Sequence, residues 1–430
     1  MNLATTGSRV LIWRTLQKVA NAVVVVEVAQ GLGPEGNGRY SLALLVITVL
    51  AALFNGGVGL ASVPPLRQHK IDPRRILGAQ TLWMAVVAGI LIILGVLVRF
   101  TGLWQWLEEA LTWDLSLILV AGAAIMALLL FETANYDLLA AGRVVLGTRV
   151  AAIRALFHLG TMGLLLVLAR LDLTLALLTF AMVHSVAAIF MAWQARRVVL
   201  AMPPAPRGEA LLGLMGGLLR RGWLGQLSAL TYLLLLRLDQ LFIEGSHGVA
   251  AVGIYALAAW GGELLWLVPE ALNPLLVHSS ADIENPTVRD QTAARAVRIV
   301  LLVTFLAAIP AALLVSPVLG LLRNGEFLAA AGPFRVLLPG IVAFAPGAVL
   351  AGDFIGRGRP HWNTQASIVT VVVNVGLCLL WIPSQGIMGA AWASTVAYAM
   401  GAVVMLVRFH WATNIPWHAL LLPRFSDFRR

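Results

Sequence analysis

Cysteine occurs once, at position 378, inside an apolar run. A single cysteine forms no internal disulfide and builds no cysteine-rich metal site. Lysine is almost as scarce: Lys18 follows Gln17, and Lys70 follows His69. A phosphate-cradling GxxxxGK[ST] loop needs glycine before its lysine, so this chain does not hydrolyse ATP through such a loop. Charged residues make up only 12% of the 430, against about 25% in ordinary soluble domains. Long polar stretches are missing too, and no connection between apolar runs has room for a folded extramembrane domain.

What is abundant is apolar sequence. The chain is 60% hydrophobic with a mean hydropathy of +0.88, which predicts an all-α polytopic membrane protein. A spanning helix needs about 20 mostly apolar residues. Twelve runs qualify: 10–30, 39–62, 76–98, 115–140, 145–169, 172–195, 222–243, 250–278, 299–322, 332–355, 362–382 and 386–408. The first is interrupted by Arg14 and Lys18, which makes a poor signal peptide and predicts an uncleaved first span. Prolines and charges in AMPPAPRGE make 199–221 the natural linker between two six-helix bundles, 1–198 and 222–410. Residues 411–430 are too short and proline-broken to span again and read as a cytoplasmic tail.

The formal charge is +10, a value that in a soluble chain would raise nucleic acid as a partner. Here the basic residues sit between the apolar runs, where they set topology and contact anionic membrane lipids. Taking the N-terminus and every second loop as one side places twenty-one Lys and Arg there and four, Arg39, Arg99, Arg170 and Arg323, opposite. The imbalance predicts that both termini are cytoplasmic. Trp104, Trp106 and Trp113 cluster on the other side, as an interfacial belt would.

The two halves repeat. Gly38 to Ala43 aligns with Gly253 to Ala258 at an offset of 215, and Gly142-Arg143 with Gly358-Arg359 at 216, as does Gly160 with Gly376. Tandem duplication of this kind is common among secondary transporters.

Several strings carry a family likeness. GLGPEGNGRYSLAL after the first helix resembles the opening of the polysaccharide transport family. Those proteins are lipid-linked oligosaccharide flippases of the multidrug/oligosaccharidyl-lipid/polysaccharide exporter superfamily. RLDQLFI, VGIYALA and ELLWLVPEALNPLL resemble its second-half signature. GEFLAAAGPFRVLLPG, GRGRPHWN and IPSQGIMGAAWAST follow in the family's order. The resemblance implies two six-helix bundles around a central cavity, alternating access, and an oligosaccharide on a polyprenyl diphosphate as substrate. It also implies a polysaccharide polymerase as a candidate partner, no cofactor and no catalytic residue. The peptidoglycan-precursor branch of the superfamily usually has two further helices, for which the sequence leaves no room.

Thirteen ionisable residues are expected to be buried in the spans, among them Glu27, Glu132, Asp137, Arg154, His158, Asp353 and Arg335. A charge at mid-bilayer costs roughly 2.5–3.5 kcal/mol on insertion scales, so most should face a wet cavity or one another. Arg14 with Lys18, and Arg154 with His158, are four apart and share a helix face. Arg237 and Asp239, two apart, point in different directions and should pair with other helices. A cavity for a diphosphate needs cations. Lys18, Arg154 and Arg237 are the first candidates, with Arg14 behind them. Asp239, Glu263 and Glu27 are candidates for coupling to a proton or sodium. Competing readings are structural: Arg14 and Arg335 can snorkel, Asp137 and Asp353 can cap or pair locally, and the deeper charges can form inter-helix salt bridges. Pro269, Pro274 and Gly261-Gly262 predict a broken eighth helix.

Two other functions are alternatives, and because the chain carries both basic and acidic or aromatic residues, the family strings rather than the charges favour the flippase. An ion-coupled drug or cation exporter would use the same architecture with an acidic, aromatic cavity. A membrane glycan polymerase or ligase would need a larger outer loop than 99–114, which holds Glu108, Glu109 and Asp114.

Overall fold

Glycines decide where the long apolar runs turn. The computed structural model describes residues 3–98, 100–111, 113–205, 210–283, 285–424 and 427, and every regular element among them is helical. Arg99, Arg207, Arg429 and Arg430, used above for topology, lie outside the described residues, as does part of the expected linker. The helices are α1 (Leu3–Asn55), α2 (Val58–Arg67), α3 (Pro73–Val98), α4 (Gly102–Leu111) and α5 (Leu115–Ala140). Then come α6 (Val144–Val167), α7 (Leu173–Leu200), α8 (Leu211–Arg237), α9 (Asp239–His247) and α10 (Val249–Glu263). The remainder are α11 (Leu267–Asp282), α12 (Pro286–Leu321), α13 (Ala331–Gly356), α14 (His361–Thr413) and α15 (Trp417–Leu421).

Among the described residues, ten continuous helical stretches are long and apolar enough to cross a membrane. Two of them, α1 and α14, run for 53 residues each, or about 80 Å at 1.5 Å per residue, against a hydrocarbon core of about 30 Å. Each contains one glycine with positive φ, Gly33 at 70° and Gly386 at 57°. Pro34 follows the first, at the position where proline best starts a helix. In α14 the two sides of the break run back along each other. Asn374 Nδ2 donates to Ser394 Oγ at 3.3 Å, and Gly401 lies against the Thr370 side chain. Dividing α1 and α14 at these glycines turns ten stretches into twelve segments of crossing length. The eighth run is broken as its prolines and glycines suggest, by a 3-10 turn at Leu264–Trp266 between α10 and α11.

Burial is inverted relative to a soluble protein. Ile92, Leu119, Val186, Leu313 and Leu380 are exposed, whereas Asp137, Arg237, Asp239 and Asp353 are buried. An apolar exterior with a polar interior is what a hydrocarbon solvent requires.

The chain divides into two compact units, residues 1–32 with 39–230 and residues 33–38 with 231–430. In the first, Val58, Leu66, Ile76, Ala79, Ala140 and Val199 form a core with Leu214 and Leu218. α8 therefore begins at Leu211, inside the stretch expected as linker, because Leu214 and Leu218 are four apart and bury one face. Gly57 and Gly222 allow the backbones of the two segments to touch, since a Cβ on either would strike the other's carbonyl. In the second unit, Gly38 and Gly253 make a similar close crossing. A Cβ at Gly253 would strike the Pro34 carbonyl oxygen, and Asn37 Nδ2 donates to Gly253 O at 2.7 Å.

The internal repeat extends to backbone geometry. α5 and α13 are each 26 residues long, and their ends are 216 positions apart. Both close in the same Schellman motif. Arg143 N donates to Leu138 O and Arg359 N to Phe354 O, both at 2.8 Å. Gly142 and Gly358 take the left-handed position, with φ of 72° and 70°. Asn55 Nδ2 donates to Glu132 Oε2 in the first unit. In the second, Asn273 Nδ2 donates to the carbonyl of Ala348, which stands 216 positions after Glu132.

The tail docks on the second unit rather than hanging free. Leu420, Ile415 and Leu421 pack in a core with Ala293, Val297 and Val300 of α12. Arg298 grips the Asp427 carboxylate through Nε at 2.7 Å and Nη2 at 2.5 Å, and Arg295 Nε donates to Asp427 O. The hydrogen bonds from Arg298 hold the Asp427 carboxyl down at about 2.

Two outcomes follow. Gly253→Val should destabilise the folded chain by about 1–3 kcal/mol, the usual range for overpacking, read as a lower melting temperature in detergent. The folded Asp427 pKa lies below the unfolded value of about 3.9, so its stabilisation is fully present above the unfolded pKa. It is lost as pH falls from about 4 through 2. The protection factor of the Leu420 amide, the unstructured exchange rate divided by its own at the same pH, should stay high at pH 5–8 and fall toward pH 2, and Asp427→Asn should lower it at neutral pH.

Candidate functional site

In the second unit, charge gathers where one helix stops for a single residue. α8 ends at Arg237 and α9 begins at Asp239, with Leu238 between them. Being two apart, the flanking side chains find separate partners, and both reach α10. Arg237 Nη1 donates to Glu263 Oε1 at 2.5 Å and Nη2 to Oε2 at 2.9 Å, a bidentate pair. The same guanidinium lies 4.2 Å from the Trp260 ring centroid and donates to the Leu236 carbonyl. The structure thus joins a residue expected to grip substrate with one expected to couple an ion. Two charges held together in hydrocarbon offset much of each other's desolvation.

Asp239 is 2% exposed. Its Oδ2 accepts from the Tyr255 hydroxyl at 2.5 Å and from Ser394 Oγ at 3.2 Å. Ser394 in turn accepts from Asn374, so helices α9, α10 and both halves of α14 meet at one carboxylate. Asp239 Oδ1 and both side-chain polar atoms of Gln240 are buried without a hydrogen-bond partner among the described residues. Beside this cluster, Trp266, Phe344 and Tyr398 form an aromatic group with centroids 5.4–5.7 Å apart.

The first unit holds a different arrangement. Arg154 of α6 lies 4.6 Å from the Phe131 ring centroid, and no carboxylate among the described residues pairs with it. It forms part of an otherwise apolar groove of about 370 Å³ walled by Ile153, Phe157, Met182, Val186 and Phe190. His158 and His184 stand one turn and one helix away, their rings edge to face at 5.6 Å, and both are buried. His184 Nδ1 lies 2.8 Å from Phe180 O, and since a carbonyl only accepts, Nδ1 carries the proton. Glu27 of α1 approaches α6 where Gly163 leaves room for it, and its Oε2 has no partner among the described residues. Lys18 is half-buried and Arg14 exposed. Of the four expected substrate cations, Arg237 is buried and paired with an acid, Arg154 and Lys18 are half-buried, and Arg14 is exposed.

Asp137 and Asp353, equivalent in the repeat, each take a partner from another helix, and Asp353 also takes one from the end of its own. Gln80 Nε2 donates to Asp137 at 2.8 Å. Ser280 and Arg357 both donate to Asp353. Tyr255, Asn374, Ser394, Gln240 and His184 were not among the candidates from sequence. Of these only His184, an ionisable residue inside an apolar run, carried a readable signal.

No protein-family model matches the sequence, and no curated protein matches it. Solved structures do. The lipid II flippase MurJ, in an inward closed conformation, is similar over 92% of this chain and 86% of its own, with a TM-score of 0.72 at 12% identity. An inward-facing multidrug resistance MATE transporter of the MOP superfamily matches over 93% and 94%, with a TM-score of 0.66 at 15% identity. A point mutant of the MATE transporter VcmN of Vibrio cholerae matches over 97% and 99%, with a TM-score of 0.61 at 13% identity. This chain has the fold that they share, all-α and multi-pass.

Breaking the Arg237–Glu263 pair from one side should be costly. Arg237→Ala should lower stability by about 3–5 kcal/mol, because it leaves a buried carboxylate uncompensated. Arg237→Ala with Glu263→Ala should be more stable than either single variant. Thermal unfolding of the four proteins in detergent, analysed as a double-mutant cycle, measures the difference.

Proposed function

We propose that this protein is a flippase that moves an oligosaccharide carried on a polyprenyl diphosphate across the bacterial inner membrane by alternating access. The observation that carries the reading is Arg154. It is a guanidinium inside a spanning helix with no acid among the described residues to neutralise it, set in an apolar groove. Such a charge is expensive unless a ligand supplies the counter-charge, and guanidinium suits a phosphate anion in two-point contact. The apolar walls around it suit a prenyl chain. The fold shared with a lipid II flippase supports the same class of substrate.

Asp239 is the group we assign to ion coupling, with Tyr255 and Ser394 fixing one oxygen and leaving the other to bind a proton or sodium. Glu263 has a different task in this reading, as counter-ion to Arg237. The strong excess of Lys and Arg on one side supports cytoplasmic termini. The two six-helix bundles, 1–198 and 222–410, are the moving parts in this proposal.

A second reading, export of organic cations coupled to an ion, is favoured by the acidic and aromatic character around Asp239, Trp266 and Tyr398. It is also favoured by the likeness to MATE transporters.

Reconstituted proteoliposomes carrying a lipid-linked oligosaccharide decide between them by leaflet accessibility. Wild type should speed translocation, Arg154→Ala should slow it at least tenfold while staying folded, and Asp239→Asn should abolish its dependence on an ion gradient. Export of a cationic dye without glycan movement would establish the second reading instead.

A further inference from the structure

One end of the first unit carries a basic pocket that the transport reading does not use. The ends of α2, α5 and α7 enclose an open cavity of about 610 Å³ whose polar lining is Arg67, His69, Arg143, Gln194 and Arg197. Among the described residues no carboxylate lines it, and none pairs with Arg67, Arg143 or Arg197. Arg197 lies 4.9 Å from the Trp193 ring centroid, which holds the guanidinium without neutralising it.

Each cation is positioned by a helix ending. Arg67 is the last residue of α2. His69 occupies the left-handed position after it, with φ of 51°, where glycine is the usual residue. Lys70 N donating to Pro65 O and His69 N donating to Leu66 O complete the motif. Arg143 follows Gly142 in the equivalent motif after α5. Helix C-termini favour cations, and basic loops fix topology. Both effects explain a basic residue at each helix end. Neither explains three guanidinia from three helices converging on one concavity with no acid, because like charges repel.

The repeat supplies an internal control. The end of α13 has the same backbone, with Arg359 at the position of Arg143 and Arg357 at that of Ala141. There Arg357 is bound to Asp353 and Asp290, and Arg359 stacks on Trp362 at 4.7 Å. In the first unit Asp137 is instead occupied by the neutral Gln80. The second unit satisfies its cations from within, and the first leaves them available.

We propose that this pocket binds a phosphate oxyanion, presented as the headgroup of an anionic phospholipid or as a soluble phosphate compound. The test uses the full chain in neutral detergent, with melting followed by tryptophan fluorescence. It is titrated with short-chain phosphatidylglycerol, with phosphatidylcholine as control, and separately with inorganic pyrophosphate. The proteins are wild type, Arg67→Gln/Arg143→Gln, Arg67→Lys/Arg143→Lys and Arg359→Gln. Wild type should show a saturable rise in melting temperature. The glutamine pair should bind at least about tenfold more weakly, the loss of one charge-assisted contact, and Arg359→Gln should match wild type. If the glutamine pair does not fold, the lysine pair, which keeps the charge and loses the guanidinium fork, should show the weakening. A response to phosphatidylglycerol alone identifies a lipid headgroup, and a response to pyrophosphate as well identifies a soluble phosphate. No saturable response to either, equal affinity in the substituted pair, or equal weakening in Arg359→Gln would overturn the proposal.

Discussion

A charge or polar group in hydrocarbon has to find its partner inside the protein, since no water is there to supply one. Much of this structure follows from that requirement. Asp239 draws α9, α10 and the folded-back α14 to one point, through Tyr255 and Ser394. Arg237 and Glu263 hold α8 to α10. Asn55 and Glu132 join α1 and α5. Apolar packing is equally available against lipid tails, so it gives helices little reason to prefer each other over the bilayer. Polar pairs and close glycine crossings give that reason, and both recur in each unit.

The duplication makes the departures informative. α5 and α13 agree in length, in the glycine that ends them and in the hydrogen bonds of that ending. They disagree in how charge is handled. Where the second unit closes Asp353 with Arg357, the first has Ala141 and turns Asp137 toward Gln80. Where Asn273 meets the backbone carbonyl of Ala348, Asn55 meets the carboxylate of Glu132. The skeleton is shared, and function was free to diverge in the side chains placed on it.

The spans were legible because twenty apolar residues are a strong signal, and the breaks at Gly33-Pro34 and Gly386 were legible because glycine and proline punctuate helices. The early start of α8 was harder to see. Arg220 and Arg221 made the stretch look like a loop, while the contacts that order Leu214 and Leu218 come from residues as distant as Val58 and Leu66. At the site, charged residues announced themselves by their cost in a membrane, so Arg154, Arg237, Asp239 and Glu263 could be named. Their partners could not, because Arg237 and Glu263 are 26 positions apart and spacing cannot pair residues on different helices. Tyr255, Asn374 and Ser394 are polar without charge and barely change hydropathy, so only the fold reveals them.

The crossing of Gly38 on Gly253 bears on how the chain is made. Asn37 reaches a carbonyl that lies 216 residues ahead. At about 5–20 residues per second, translation produces that partner roughly 10–40 s after Asn37 itself. Through that interval the bend between the two parts of α1 must wait in the membrane with its amide uncommitted, while α2 to α7 are inserted around it. The second unit therefore cannot be completed from its own stretch of chain alone. It reclaims a short piece made long before, and the order of synthesis becomes part of the order of assembly.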